Sequence, residues 1–374
     1  MRGANAGAHR VKSIATGIPS LVSHLADHGY QTQSFYSNGH LNLRSGIERG
    51  FDGYVWYGAT GHMAADSFDD WVRNADGAPW FAFVQMVDPH WPYALPNRFS
   101  KTVEPPDTTK NESMGGKAIE MFVDGVPEED RQDFSEIYDL LVTYTDMQVE
   151  QILETLDKRG LRDNTLVVFH VDHGEELWDH AEWWHGHSHF RELVHLPSIF
   201  SFPGELPEGT RMPESFRAID VLPTAIDLLG LPPSEHRTEG ISLAHFLRGE
   251  PGDTPPPAIQ ESQLYGPGGD FAITEDPWRL IVQPMARWVD RETWEVDRDS
   301  IRGTELVMLF NIDEDPEERN NVASEHPERV ADMRRRAEAI LARARERKSG
   351  ESEFTEMDSD ADADALEALG YAGD

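Results

Sequence analysis

Apolar and polar positions fall into blocks along the chain, and the period within each block predicts an element. Residues 12–30 place Ile18, Leu21, Val22 and Leu25 on one helical face and stop at Gly29, which predicts a helix. Residues 31–36 alternate roughly with period two, as a strand does. Residues 79–87 form a strongly apolar run, a predicted strand that opens into Asp88-Pro89-His90-Trp91-Pro92-Tyr93. Residues 97–133 are polar and rich in Pro, Gly and charge, the pattern of a surface excursion or lid. From Phe134 to Arg159 the apolar positions follow a helical period that closes at Gly160. Residues 165–171 and 196–202 are short apolar strands, and a helix begins at Asp220, its expected N-cap, and ends at Leu228-Leu229-Gly230.

Strand, helix and strand in alternation predict an α/β core with a mostly parallel sheet flanked by helices. The composition shifts at residues 249–257, Gly-Glu-Pro-Gly-Asp-Thr-Pro-Pro-Pro, which marks a boundary. Beyond it, strand-like runs at 258–264, 278–282 and 305–311 precede a charged helix at 327–345. The expected organisation is a core over 1–248, a small α+β subdomain over 249–347 and an acidic tail over 348–374.

Composition narrows the chemistry. With 17 Phe, 10 Trp and 39% hydrophobic residues, the chain can bury a core and is not a disordered one. Its 68 acidic and 33 basic residues leave a net charge of −35, which repels phosphate backbones and excludes a nucleic-acid partner. Such a surface suits high salt, where screening acts over ~3 Å at 1 M. The absence of cysteine excludes disulfides, thiolate metal sites and cysteine nucleophiles. No apolar run reaches the ~18–20 residues of a membrane span and no signal core is present. As written, the sequence implies a cytoplasmic protein.

The candidate chemistry sits at residues 165–190. A strand delivers Asp172-His173-Gly174, and four more histidines follow: His180, His185, His187 and His189. A carboxylate beside an imidazole supplies half a coordination shell for a divalent cation, and a catalytic site needs one or two further ligands. The plain alternative is an Asp that caps a helix beside a surface histidine. His187 and His189 read as solvated. His90 lies in a loop stiffened by two prolines, and residues 36–41 offer Asn38 and His40. In a parallel sheet these three loops converge on the carboxyl edge, where ligands bind. Trp91, Tyr93, Trp183 and Trp184 either line that mouth or pack the core.

These segments, in this order, resemble the sulfatase family of the alkaline phosphatase superfamily. The resemblance rests on Val171-Asp172-His173-Gly174-Glu175-Glu176 with His185-Gly186 and Leu193-Val194-His195-Leu196-Pro197, on Asp88-Pro89-His90-Trp91-Pro92-Tyr93, and on Asp220-Val221-Leu222-Pro223-Thr224. His24-Leu25 to Thr32, Gly50-Phe51-Asp52, Leu309-Phe310-Asn311 to Asp315-Pro316 and Asn320-Asn321-Val322, and Leu369-Gly370-Tyr371 add to it. It implies that Asp172 and His173 are two ligands of a divalent ion, calcium first, with magnesium or manganese as alternatives. It implies that His90 contacts the ester oxyanion or protonates the leaving group. His185 stands where many relatives carry a lysine that holds a sulfate oxygen, work a protonated imidazole can do. Ser37-Asn38-Gly39-His40-Leu41 replaces a loop that carries a Lys and a His in many sulfatases; Asn38 stands for the Lys.

The family's nucleophile is a formylglycine made within Cys/Ser-x-Pro-x-Arg. The three x-x-Pro-x-Arg stretches here begin with Ala94, Glu275 and Glu325, none of them a nucleophile. Met1–His9 resembles the segment just downstream of the nucleophile helix, so the expectation is that the first strand, the nucleophile and the first aspartates precede Met1 and that the chain is inactive as given. The expected function is hydrolysis of a small-molecule or glycan sulfate ester to alcohol and sulfate. Two alternatives stand beside it: a phosphoester or phosphonate hydrolase or phosphoglycerol transferase on the same scaffold, and a catalytically dead metal- or glycan-binding fragment.

Overall fold

The computed structural model describes residues 20–351 apart from 39–40, 42–45, 57–60, 76, 92, 94, 104–125, 213–214, 236–237, 262–269 and 285–304. Two compact units form, one within Met1–Arg162 and one within Asp163–Ser352. Residues 163–248 group with the antiparallel sheet that follows them.

In the first unit, helix α1 (Leu21–Asp27) starts at a capping box: Ser23 N donates to Ser20 Oγ and Ser20 N to Ser23 Oγ, both at 3.0 Å. Gly29 then takes φ +82°, the left-handed turn that leads into β1 (Gln31–Tyr36). β1 is the centre of a parallel sheet ordered β2 (Gly53–Trp56), β1, β3 (Trp80–Gln85). Residues 32–36 of β1 are all buried, where alternation predicted one buried face, because a central parallel strand is covered on both. Helix α2 (Gly61–Val72) buries Ala64, Ala65, Phe68 and Val72, and Phe35 meets Phe68 edge-on. The helix Arg131–Lys158 buries Phe134, Ile137, Leu141 and Tyr144 at helical spacing. Of the expected lid over 97–133, Asn97–Ser100 is a short helix, and 104–125 lie outside the described residues.

In the second unit β4 (Val167–His170) pairs antiparallel with β7 (Ser198–Ser201), a correction to the parallel pairing expected. β4 is half-buried rather than buried, having one hydrogen-bonded neighbour among the described residues. Asp220 is not the side-chain cap of the helix Val221–Leu228. Its buried carboxylate instead accepts Arg217 Nε at 2.8 Å, Arg217 Nη2 at 2.6 Å and Ile241 N at 2.9 Å. These donors outcompete the cap, since a buried carboxylate is costly unless paired.

The rest of this unit is an antiparallel sheet ordered β11 (Glu305–Asn311), β10 (Trp278–Pro284), β9 (Phe271–Glu275), β8 (Ala258–Glu261). Its period-two alternation is buried on both faces. Phe271, Ile273, Leu280, Val282 and Leu309 pack on Met333, Ala337 and Leu341 of the helix Pro327–Glu351. Ala272, Ile281, Met308 and Phe310 face Phe190. That second face carries the sheet to the histidine-rich segment, and a buried ion pair secures it. Arg279 Nε lies 2.9 Å from Glu318 Oε1, with side chains 6% and 0% exposed. Arg279 also donates from Nη1 to Thr274 Oγ1 at 3.0 Å and from Nη2 to the His189 carbonyl. Glu318 Oε2 accepts Arg191 N at 2.9 Å, and the Glu318 carbonyl accepts His180 Nε2 at 3.1 Å. Among the described residues no helix is long and apolar enough to cross a membrane.

Removing one partner of this pair leaves a buried charge uncompensated. Glu318→Ala should cost about 3–5 kcal/mol in urea denaturation. The double replacement Arg279→Met/Glu318→Leu should recover most of that loss.

Candidate functional site

The predicted site residues fall in two groups, one within each unit. In the first, parallel pairing ends β1 and β3 side by side, and their loops are tied together. Ser37 N and Asn38 N donate to Gln85 Oε1 at 3.1 and 3.0 Å, and Val87 N donates to Ser37 Oγ at 2.8 Å. Asn38 and the His90 loop therefore share the carboxyl edge of this sheet, as expected. His90 N donates to Val87 O at 2.8 Å. His90 Nδ1 donates to the Trp91 carbonyl, which leaves the ring's lone pair on Nε2. Trp91 and Tyr93 are core residues: Trp91 stacks on Phe134 at 6.1 Å and 10°, and Tyr93 is fully buried. His40 lies outside the described residues.

In the second unit the strand-end motif forms as predicted. Asp172 is exposed, and its Oδ1 accepts His173 N at 3.0 Å. His173 Nδ1 donates to the Gly174 carbonyl at 2.9 Å, so this ring too carries its lone pair on Nε2. Gly174 is required by packing: a Cβ there would sit 1.9 Å from the Glu192 carbonyl oxygen. The hairpin β5 (Glu176–Leu177) and β6 (Trp183–Trp184) folds the chain back, so that the His185 ring lies 4.2 Å from the His173 ring and 4.5 Å from Trp184. One ring nitrogen from each histidine falls within 4.8 Å of the other.

Burial, reinforced by the neighbouring His173 and His187, pushes His185 down to about 3. The protonated imidazole expected as a lysine substitute is thus a neutral ring at neutral pH, because little water remains to solvate a cation there.

The remaining histidines are not solvated, which corrects the expectation for His187 and His189. His187 Nε2 donates to buried Glu176 Oε2 at 2.8 Å, and His189 Nε2 lies 2.9 Å from the fully buried Asp270. His180 Nδ1 donates to Glu192 Oε1 at 2.7 Å, and its ring stacks on Phe190 at 3.7 Å. Glu176 also accepts His180 N at 3.0 Å and Glu182 N at 2.8 Å. Its own burial raises the Glu176 pKa, but the donors His187, Glu182 and His180 outweigh that and hold it below the ordinary carboxylate value. The carboxylates Glu175, Glu176, Glu192, Asp270 and Glu318 were missed by sequence reasoning. Glu175-Glu176, directly after the motif and facing so many histidines, was the available signal.

The two imidazole nitrogens that converge in this segment, those of His173 and His185, fit a divalent ion; imidazole donors suit transition ions better than the all-oxygen shell of calcium.

A family model described as Sulfatase matches residues 2–231. The chain is 26% identical to a choline-sulfatase of Rhizobium meliloti over 273 residues, 68% of this chain and 48% of that protein. It is 28% identical to iduronate 2-sulfatase of Homo sapiens over 162 residues, 36% of this chain and 29% of that protein. The chain thus spans about half or less of the length of these curated relatives. Among solved structures, BT4656 with its substrate D-glucosamine-2-N,6-O-disulfate aligns with TM-score 0.66 and 17% identity over 91% of this chain and 85% of that one. The phosphonate monoester hydrolase of Agrobacterium radiobacter aligns with TM-score 0.65 and 19% identity over 89% and 81%. These structures share the fold.

Because Glu176 is held below its ordinary value of 4.5, its contribution to stability is present above that pH and is lost as pH falls through the lowered value. Glu176→Gln should therefore flatten the acid limb of a stability–pH profile below about pH 4.5. An unchanged limb in thermal melts would contradict the assignment.

Proposed function

Since the chain belongs to the sulfatase family, we propose that it is a metal-dependent hydrolase of sulfuric esters, converting ester and water to alcohol and sulfate. The observation that carries this reading is the pairing of the His173 and His185 ring nitrogens within 4.8 Å, with Asp172 next to His173 in sequence. Asp172 and His173 would hold the ion; calcium, magnesium and manganese all accept the carboxylate, and manganese is the transition ion among them. A bound divalent ion supplies Lewis-acid polarisation of a sulfate oxygen.

Water supplies the oxygen that bonds to sulfur as the ester bond breaks, and its proton makes good the one that the alcohol takes up; the chain's own residues assist. His90, once protonated on Nε2, gives that proton to the departing alcohol oxygen. His185, neutral and buried, would add its Nε2 lone pair to the ion's donors rather than a cation to the ester. Asn38 offers an uncharged amide to a sulfate oxygen, a weaker and more directional contact than a lysine makes. The substrate class is a small-molecule or glycan sulfate ester. The choline-sulfatase and the complex with a disulfated glucosamine support that range. The phosphonate monoester hydrolase on the same fold keeps phosphonate esters as the second reading.

With manganese supplied, 4-nitrophenol released from 4-nitrophenyl sulfate should exceed that from a 4-nitrophenyl phosphonate monoester, and turnover of either would overturn the inactivity expected of a chain without a Cys/Ser-x-Pro-x-Arg nucleophile. Chelator should abolish that turnover, and Asp172→Ala should lower kcat/KM by more than about 100-fold, the upper range for residues that merely support a ligand. Preference for the phosphonate would overturn the sulfate assignment. A folded protein that binds manganese yet cleaves neither ester would replace the hydrolase by a metal-dependent anion binder.

A further inference from the structure

We propose that Glu175 is a positioning residue: it selects the tautomer of His185 that carries the hydrogen on Nδ1 and the lone pair on Nε2. His185 Nδ1 lies 2.9 Å from Glu175 Oε1, with side chains 14% and 3% exposed. The stacks on His173 and Trp184 fix the plane of the imidazole and leave a half-turn within that plane open. A half-turn would set a ring carbon against the carboxylate. A buried carboxylate that loses its donor is costly, which settles the orientation.

The backbone prepares the same choice. Gly174 locks the chain before Glu175 by its close approach to the Glu192 carbonyl. On the far side Trp184 and Gly186 take φ +77° and +81°, so left-handed residues flank His185 and turn its side chain back over the hairpin. Trp178 and Ala181, at φ +68° and +70°, tighten the same loop. Left-handed backbone at non-glycine residues is strained and persists where surrounding contacts over-determine it. Here those contacts include the three donors that buried Glu176 gathers.

Glu175 and the Gly174 carbonyl thus play one role on two rings: each takes an Nδ1 hydrogen and leaves Nε2 as the electron-pair donor. What Nε2 then serves rests on the metal-dependent reading above; the tautomer itself does not. The test is therefore in two parts.

Long-range nitrogen–proton correlation spectra of the metal-free chain, uniformly labelled with nitrogen-15, report the protonated nitrogen of each imidazole directly. The wild-type spectrum should show His185 with hydrogen on Nδ1. Glu175→Gln, whose amide oxygen still accepts, should keep that pattern. Glu175→Leu should shift the ring to hydrogen on Nε2 or to an exchanging mixture. Manganese affinity measured by calorimetry should fall about 10–100-fold in Glu175→Leu and be rescued in Glu175→Gln. Hydrogen on Nε2 in the wild-type protein overturns the proposal, whether or not the leucine variant folds. So does a folded leucine variant whose His185 keeps the Nδ1 pattern. If neither protein binds manganese while the tautomer follows Glu175, the positioning role stands and the metal reading falls.

Discussion

In the second unit the buried ion pair of Arg279 and Glu318 joins the antiparallel sheet to the histidine-rich segment. Arg279 comes from the middle of an apolar sheet, and Glu318 from the turn that follows the last strand of that sheet. Neither charge is tolerable alone at that depth, so each fixes the other. Their remaining hydrogen bonds reach outward to His189 O, Arg191 N and His180 Nε2, all in the histidine-rich segment. The pair converts two stretches that are distant in sequence into one packed object. Both stretches lie within the unit Asp163–Ser352.

Charge gives the histidines their order. In a chain of net charge −35, carboxylates outnumber basic residues about two to one, and the histidine loop draws its partners from that excess. Glu175 takes His185, Glu176 takes His187, Glu192 takes His180 and Asp270 faces His189. His173 is the exception: its Nδ1 donates to a backbone carbonyl and it lies beside exposed Asp172. The loop is thereby sorted into histidines that build the hairpin and histidines at the mouth of the motif. Glu176 anchors three donors from the loop it begins, so the strained turn at Trp178 and Ala181 is held from inside.

Much of this was legible in the chain. β1 and β11 fall on their predicted residues, because their apolar runs are bounded by turn residues and tolerate no other register. The Asp172-His173-Gly174 motif and the adjacency of Asn38 to the His90 loop follow from strand ends in sequence and from parallel pairing. β2 and β9, four and five residues long, were not visible, since so short an apolar run also suits a loop. The antiparallel β4–β7 pairing was misread because alternation of strands and helices suggests direction but does not determine it. The solvated reading of His187 and His189 failed for a different reason. Their partners come from Glu176 across a hairpin and from Asp270 in a distant strand region, and no local pattern carries such contacts.

The central claim is that the histidine-rich segment and the antiparallel sheet open as one cooperative unit because Arg279 and Glu318 bind them. Native-state hydrogen exchange reads this directly. Amides of residues 172–195 and of β9–β11 should share one opening free energy in the wild-type protein, and Glu318→Gln should lower both together. Exchange of 172–195 at its own lower free energy, unmoved by the substitution while the sheet weakens, would contradict the account.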